Sequence, residues 1–449
     1  MSEPSRFPSQ AQTWIRGGRV VDPSQSLAAA ECDLLIEGGR IAALGAEAAS
    51  RAVPDAEVFE AQGLVLTPGL IEGRAHLGEP GHEERETLES GLRAAAQGGF
   101  TAVVGLPDTS PANDTRAVTE MLVRRAALRG AARLYPMAAV TRGLAGEELA
   151  EMGELAAAGA VAVGDADRTL KSSILRRALL YAQHSGLPVV HRASDHDLDD
   201  GGVMHEGEWS TRLGLPGCPA VSEESVVARD LLLAEETGGR YHLAPVTTAG
   251  SVERVRQAKA RGLRVSCETT PHHLLLTDEA VATSGFDPST RVDPPLRTAA
   301  DAEALRAALA DGTIDLVTSD HRPHHADHKT EVQFSVSPPG VVGLETTVGV
   351  CLDRLVHAGV VDLARLVELM SCAPARLFGL PGGTLAVGAP ADITALDLER
   401  RWTVEPERFY SRGRSTPFAG EELRGGAVCV WVGGRRIGST ATTEAAGRG

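Results

Sequence analysis

Between Pro68 and about Leu380 the chain alternates short β-like runs with Ala/Leu/Arg/Glu-rich helical stretches, and the alternation repeats eight times. The runs are Leu70 to His76, Thr101 to Leu106, Arg133 to Val140, Ala160 to Val163, Pro188 to His191, Arg240 to Ala244, Arg264 to Glu268 and Ile314 to Ser319. Helical segments, such as Thr87 to Gln97, Ala117 to Leu128, Gly146 to Ala158 and Ser172 to His184, separate successive runs. A helix between two strands lets the second lie parallel to the first, and eight such units favour closure into a (β/α)8 TIM barrel. No other feature narrows the fold as much.

The two ends read differently. Before Pro68, the runs Trp14 to Val21, Asp33 to Glu37, Arg40 to Leu44 and Leu64 to Leu66 are punctuated by Gly17-Gly18 and Gly38-Gly39, which predict tight turns. Neither glycine pair has the spacing or following helix of a dinucleotide-binding loop. From Gly382 the chain returns to β-like runs, including Ala427 to Val432 and Arg435 to Ile437. The expectation is an α/β protein whose barrel, over 68–381, carries a small β-sandwich domain built from 1–67 and 382–438. The Ala/Thr/Gly-rich tail at 439–449 is expected to be disordered.

Composition removes several function classes. A net charge of -16 over 449 residues leaves no basic surface for nucleic acid or anionic lipid. No stretch approaches about 18 uninterrupted apolar residues, so no membrane span is expected. The first residues, MSEPSRFPSQAQ, hold no apolar signal core, which makes the cytoplasm the expected compartment. The mean hydropathy of -0.08 and 43% hydrophobic content describe a globular chain with a substantial core. Six scattered cysteines without a Cys-x-x-Cys pair read as reduced thiols, not as a disulfide frame or zinc ribbon.

Seven segments, taken in order, carry a family signature: Thr67 to Ile71 (TPGLI), His76 to Gly81 (HLGEPG), Glu268 to Leu274 (ETTPHHL), Pro294 to Arg297 (PPLR), Ser319 to His324 (SDHRPH), Gly340 to Glu345 (GVVGLE) and Ser411 to Phe418 (SRGRSTPF). Together they resemble the dihydroorotase branch of the amidohydrolase superfamily, with allantoinases and hydantoinases as near relatives. The resemblance runs from about residue 14 to residue 437. It implies a binuclear zinc barrel that hydrolyses a cyclic amide, with a β-sandwich made from both ends.

Such chemistry needs a definite set of atoms. Two His at a spacing of two on the first strand share one face and can reach one metal. A carboxylate or carbamylated Lys from the fourth strand bridges two metals, and one His each from the fifth and sixth strands completes the second. An Asp at the end of the eighth strand binds metal and takes the proton of the attacking hydroxide.

Placed on this sequence, the set survives in part. His76 matches the second His of the first strand, but the first is Arg74, a permanent cation with no lone pair to give. The Asp that usually opens that motif is Glu72. Asp165 is the foremost candidate for the bridging carboxylate, with Asp167 as the other option and no Lys at the strand end. His191 matches the fifth-strand ligand, Pro245 stands where the sixth-strand His belongs, and Asp320 matches the eighth-strand Asp, the remnant general base. The substrate carboxylate would be held in dihydroorotases by an Arg and two Asn, whose positions here are Gly78, Asp108 and Asp293. Of that shell only His324 remains, and two added carboxylates are expected to repel an anionic substrate.

Several residues also have plainer readings. His76 and His191 serve equally well as core histidines, and His272-His273 as packing residues. His321, His324, His325 and His328 lack a tetrahedral partner set and read as a polar loop over the barrel mouth. The acidic run from Asp195 to Glu208 reads as a solvated loop. Arg74 is expected to point into the mouth and pair with Asp320 or Asp165, its guanidinium standing in for metal charge.

The resemblance then implies two outcomes. In the first, the chain is a non-catalytic dihydroorotase-like protein of pyrimidine biosynthesis. It needs no cofactor and serves structurally with aspartate transcarbamoylase, as degenerate members of the family do. In the second, it is an active cyclic amidohydrolase with a reduced site, one metal on His76, His191 and Asp320 with Asp165 as a further donor; a fuller site would hold two zinc ions. Homo-oligomers are usual in the family, and neither outcome involves nucleic acid or membrane.

Overall fold

The structure is a computed structural model that describes residues 12–438 apart from Thr330, so the expected disordered tail at 439–449 lies outside the described residues. Eight strands follow one another round the barrel in chain order: Leu70–Ala75, Phe100–Gly105, Arg133–Ala138, Ala162–Val163, Val189–His191, Tyr241–Leu243, Val265–Thr269 and Leu316–Val317. All neighbouring pairs are parallel. The ring closes where Ala75 bridges His321, and the His76 N–H donates to the His321 carbonyl at 2.8 Å. The fourth strand is short, and just past it Gly164 lies against the Val190 carbonyl; a Cβ there would sit 2.6 Å from that oxygen.

Alternation along each strand decides which side chains reach the interior. On the fifth strand Val189 packs with the helix layer, against residues such as Leu175, Leu179 and Val227. Val190 packs inside the barrel with Val104, Met137, Ala162, Ala244 and Leu316. The helices form where the sequence caps them. Leu88–Gly98 starts at a Thr87–Ser90 capping box, ends at Gly99 in the left-handed region (φ 104°), and buries Leu88, Leu92 and Ala95.

Two local expectations change. The helix expected over Gly146 to Ala158 is confined to Met152–Ala158. Gly143 and Gly146 both take positive φ, and the Gly146 N–H is drawn to the Thr141 hydroxyl, so the segment before it turns instead of coiling. Gly17-Gly18 is not a turn between strands. It lies within one continuous strand, Gln12–Asp22, at a bulge between Ile15 and Gly18.

Met204–His205 and Gly217–Cys218 pair in a small two-stranded sheet, and the other strands make one sheet from both ends of the chain, in the order Arg435–Gly438, Glu422–Val432, Ile393–Thr403, Val65–Pro68, Gln12–Asp22, Leu27–Glu37, Arg40–Leu44, with Glu57–Glu60 beside Gln12–Asp22. Ile15, Leu34, Leu66, Ile393 and Trp431 form its core. The chain passes from this sheet into the barrel at Gly69, where a side chain would collide with Thr101. Asp392 ties the two units together: it takes Arg133 Nε at 2.8 Å from the third barrel strand and the Gly433 N–H at 2.6 Å from the sheet. Among the described residues all six cysteines are free thiols, and no helix is long and apolar enough to cross a membrane.

This junction predicts that Asp392→Ala lowers stability by about 3 kcal/mol, because the carboxylate shared by a guanidinium and a backbone N–H is removed. Urea unfolding checks it, and a loss within roughly 0.5 kcal/mol, as for an ordinary surface change, would refute the tie.

Candidate functional site at the barrel mouth

Glu72, Arg74 and His76, two residues apart, enter the barrel from the first strand, and all three are buried. At the bottom, Glu72 accepts from the Ser319 N–H at 2.9 Å and the Arg74 N–H at 2.9 Å. Burial nevertheless pushes its carboxyl up to about 8. Above it, the Arg74 side chain is only 2% exposed. Its Nη1 donates to Asp320 Oδ1 and its Nη2 to Asp167 Oδ1, both at 2.7 Å. Asp320 is therefore met as expected, but the second partner is Asp167, not Asp165.

The switch between those two carboxylates has a backbone cause. Ala166 holds a left-handed conformation (φ 51°), which turns the residues on either side of it in different directions. Asp165 faces the third-strand end, where Oδ1 accepts from the Val140 and Thr141 N–H groups at 2.8 and 2.9 Å and Oδ2 from the Thr141 hydroxyl. Burial pushes its carboxyl up despite these bonds. Both oxygens are spent, so the expected bridging role at Asp165 is corrected.

Asp167 takes the centre. Its Oδ2 forms an ion pair with Arg322 Nη2 at 2.9 Å, while Arg192 Nη1 and His76 Nε2 face the carboxylate at 3.7 and 3.8 Å. Burial alone would raise this carboxyl. The positive neighbours Arg322, His76, Arg74 and Arg192 outweigh burial and hold it far below the usual carboxylate range.

The ligand role expected of His191 is corrected as well. On the fifth strand Val190 and Arg192 share the interior face, so His191 faces the helix layer with Val189. Its Nδ1 meets Asp230 at 2.7 Å, and its Nε2 accepts the Leu170 N–H at 2.8 Å. No lone pair of that ring is left for a metal. Pro245 supplies none, and His242 on the same strand is engaged by Ser266 and Glu268 at 2.7 and 3.1 Å. A zinc centre needs three or four lone-pair donors at ~2.0–2.3 Å. Among the described residues no three His, Cys, Asp or Glu side chains converge to hold a metal ion. A guanidinium stands between the carboxylates that face the mouth, so these residues do not fit the binuclear zinc that the resemblance implies.

The positions expected of a substrate shell are occupied by contacts within the chain. Asp108 meets His76 Nδ1 at 2.6 Å, and Asp293 accepts from Arg192 Nη2. Burial would raise both carboxyls, yet His76 and Arg192 respectively hold them below their usual values. The expectation of two bare anions repelling a ligand is therefore corrected, since each has acquired a partner. His324 donates through Nε2 to the Pro339 carbonyl at 2.9 Å, and burial takes its ring down to about 3, so it anchors a loop as a neutral imidazole. Gly78 (φ 67°) has no space for a side chain, since a Cβ would lie 2.6 Å from the Glu86 carbonyl and 2.7 Å from that of His82. The cavity beside it, lined by His76, His82, Arg85, Asp108 and Arg322, measures ≈ 20 Å³. That is room for roughly one water, against ~300 Å³ or more for an ordinary ligand pocket.

Arg192, Arg322 and Glu268 were not singled out from the sequence as site residues. Arg322 lies inside the Ser319 to His324 segment and Arg192 directly follows His191, next to the histidines that drew attention. Strand alternation was the signal that could have found Arg192, because whichever of residues 191 and 192 faces inward excludes the other.

Residues 63–251 match the family model described as Dihydro-orotase-like. A protein named dihydroorotase from Anaeromyxobacter dehalogenans (strain 2CP-1 / ATCC BAA-258) is 49% identical over 425 residues, covering 94% of this chain and 97% of its own. A second, also named dihydroorotase, from Pelotomaculum thermopropionicum, is 50% identical over 424 residues with the same coverage, 94% and 97%. Among solved structures, an L-hydantoinase (dihydropyrimidinase) from Arthrobacter aurescens superposes with a TM-score of 0.85 at 26% identity, covering 95% of this chain and 96% of that one. A dihydropyrimidinase from Brevibacillus agri gives 0.82 at 25% identity, covering 95% of both chains.

The geometry predicts that Arg74→Met costs about 3–5 kcal/mol in urea unfolding, because it strands buried carboxylates. Adding Asp320→Asn should cost less than the sum of the two single changes by more than about 1 kcal/mol. Additive losses would mean that the pair is not coupled.

Proposed function

Since the chain belongs to the dihydroorotase family, we propose that it is a non-catalytic member whose barrel serves structurally, as an assembly partner of the aspartate transcarbamoylase that precedes dihydroorotase in pyrimidine synthesis. One observation carries this reading: the Arg74 guanidinium lies between Asp320 and Asp167, in the space where ring-opening chemistry would need a metal-activated water. Asp320, which would take the proton of that water, instead accepts from Arg74. Pro245 and His191 leave the second metal position without side-chain donors, and the cavity beside Gly78 holds only about one water. The partner, and a homo-oligomeric state, rest on the family resemblance alone.

A second reading has a specific observation in its favour, because the relatives sharing about half of this chain's residues are named dihydroorotase. It makes the chain an active cyclic amidohydrolase with one metal on His76, Asp320 and His191, with Asp165 as a further donor. It requires Arg74 to leave a buried ion pair and both His191 and Asp165 to release their present partners. Each of those steps uncovers a buried polar group and costs several kcal/mol, of order ~3 for the ion pair alone.

Zinc analysis of the purified protein and assay of dihydroorotate ring opening and of the reverse closure separate the two. The expected result is zinc far below stoichiometric, with turnover at least about 10³-fold under that of an intact relative. Arg74→His alone should not restore it, since Pro245 and the closed mouth remain. Stoichiometric zinc with turnover would reject the non-catalytic reading. Size-exclusion chromatography after co-expression with the same organism's aspartate transcarbamoylase tests the partner: a joint peak is expected, and two separate peaks would remove the assembly role.

A further inference from the structure

We propose that the closed mouth is an oxyanion pocket filled by the chain's own Asp167, and that an external tetrahedral oxyanion of the phosphate class displaces that carboxylate and binds in its place. The inference goes beyond the assembly role and needs no partner protein.

The pocket is built from three strand ends. Arg74 comes from the first strand, Arg192 from the fifth and Arg322 from the eighth, with His76 beside them. All four face the Asp167 carboxylate, at 2.7 Å (Arg74), 2.9 Å (Arg322), 3.7 Å (Arg192) and 3.8 Å (His76). A carboxylate is planar and has two oxygens. Asp167 uses one on Arg74 and the other on Arg322, so the latter two groups are left beyond hydrogen-bond distance.

That shortfall is visible in what remains unsatisfied. Arg192 Nε and Nη1 and His76 Nε2 are buried without a hydrogen-bond partner among the described residues. Buried polar groups in folded proteins are nearly always paired, because each unpaired one costs a desolvation penalty. Asp167 therefore underfills the space it occupies. A tetrahedral anion has four oxygens in place of two, and the additional ones point where Arg192 and His76 stand waiting. Arg presents planar N–H groups suited to phosphate.

Charge and route agree with the chemistry. With Asp167 withdrawn, Arg74, Arg192 and Arg322 face Asp320, Asp293 and the deeper Glu268, while His76 keeps Asp108. Arg322 is then left without an ion-pair partner among the described residues, and an anion can take that place. Asp167 can leave: its side chain is 22% exposed, whereas Arg74 and Arg192 are 2% and 1% exposed. The adjoining Ala166 is held at φ 51°, a conformation unfavourable for a residue with a Cβ, so release of the loop relieves strain.

Isothermal titration calorimetry on the full-length protein tests this, with inorganic phosphate as the probe. EDTA is present and ionic strength is balanced with sodium chloride, so that neither a metal nor general screening mimics binding. The unaltered chain should bind phosphate weakly but saturably. Asp167→Ala should bind it about tenfold more tightly or better, because the tethered competitor is gone. Asp167→Asn, which keeps the shape and removes the charge, should shift the same way and carries the comparison if the alanine variant fails to fold. Arg192→Gln should abolish binding while circular dichroism stays native. The proposal is overturned if phosphate has no effect beyond that of chloride, if neither Asp167 variant gains affinity, or if Arg192→Gln binds as the unaltered chain does.

Discussion

A guanidinium inside a barrel organises the rest of this molecule. Arg74 meets Asp320 and Asp167 at the same distance, 2.7 Å, and is almost wholly shielded from water. Buried carboxylates without a countercharge would be forced to neutralise or would open the fold. A cation that belongs to the chain removes that need permanently, whatever the supply of metal. The surrounding changes follow from it. Asp167 is drawn to the centre, Arg322 and Arg192 gather round it, and His76, His191 and His242 have protein partners. Beneath this layer the barrel keeps its parallel closure and its helix packing, because neither depends on what the strand ends carry.

How much of this was legible beforehand differs between fold and site. The eight β/α units could be read because hydrophobic periodicity and helix caps such as Thr87 with Gly99 are local signals. The Gly17-Gly18 bulge was misread as a turn since a glycine pair marks unusual backbone without saying which kind. At the site, Arg74 and its pairing with Asp320 could be anticipated, because a residue placed by motif on a strand of known facing has few places to go. Asp165 could not be told from Asp167, because the choice was made by the backbone at Ala166, which carries no sequence mark of left-handed geometry. His191 was placed by its motif, but alternation at the strand end turned it toward Asp230 and sent Arg192 inward.

The two scales of similarity sit together without conflict. Relatives at about half identity share the architecture across nearly the whole chain, and architecture is a property of hundreds of contacts. Chemistry at the mouth depends on a handful of side chains, so it can be lost while the barrel is untouched. Family membership and the chemistry of the mouth therefore rest on different sets of residues.

Gly78 limits what this mouth can be remade to hold. Its Cα lies so close to the His82 and Glu86 carbonyls that any side chain is shut out, and its backbone occupies a conformation most residues avoid. The loop has settled into space that a longer residue would need. An arginine placed there would break the loop before it could help any ligand, so a change of chemistry at this position needs the His82 to Glu86 backbone to move as well.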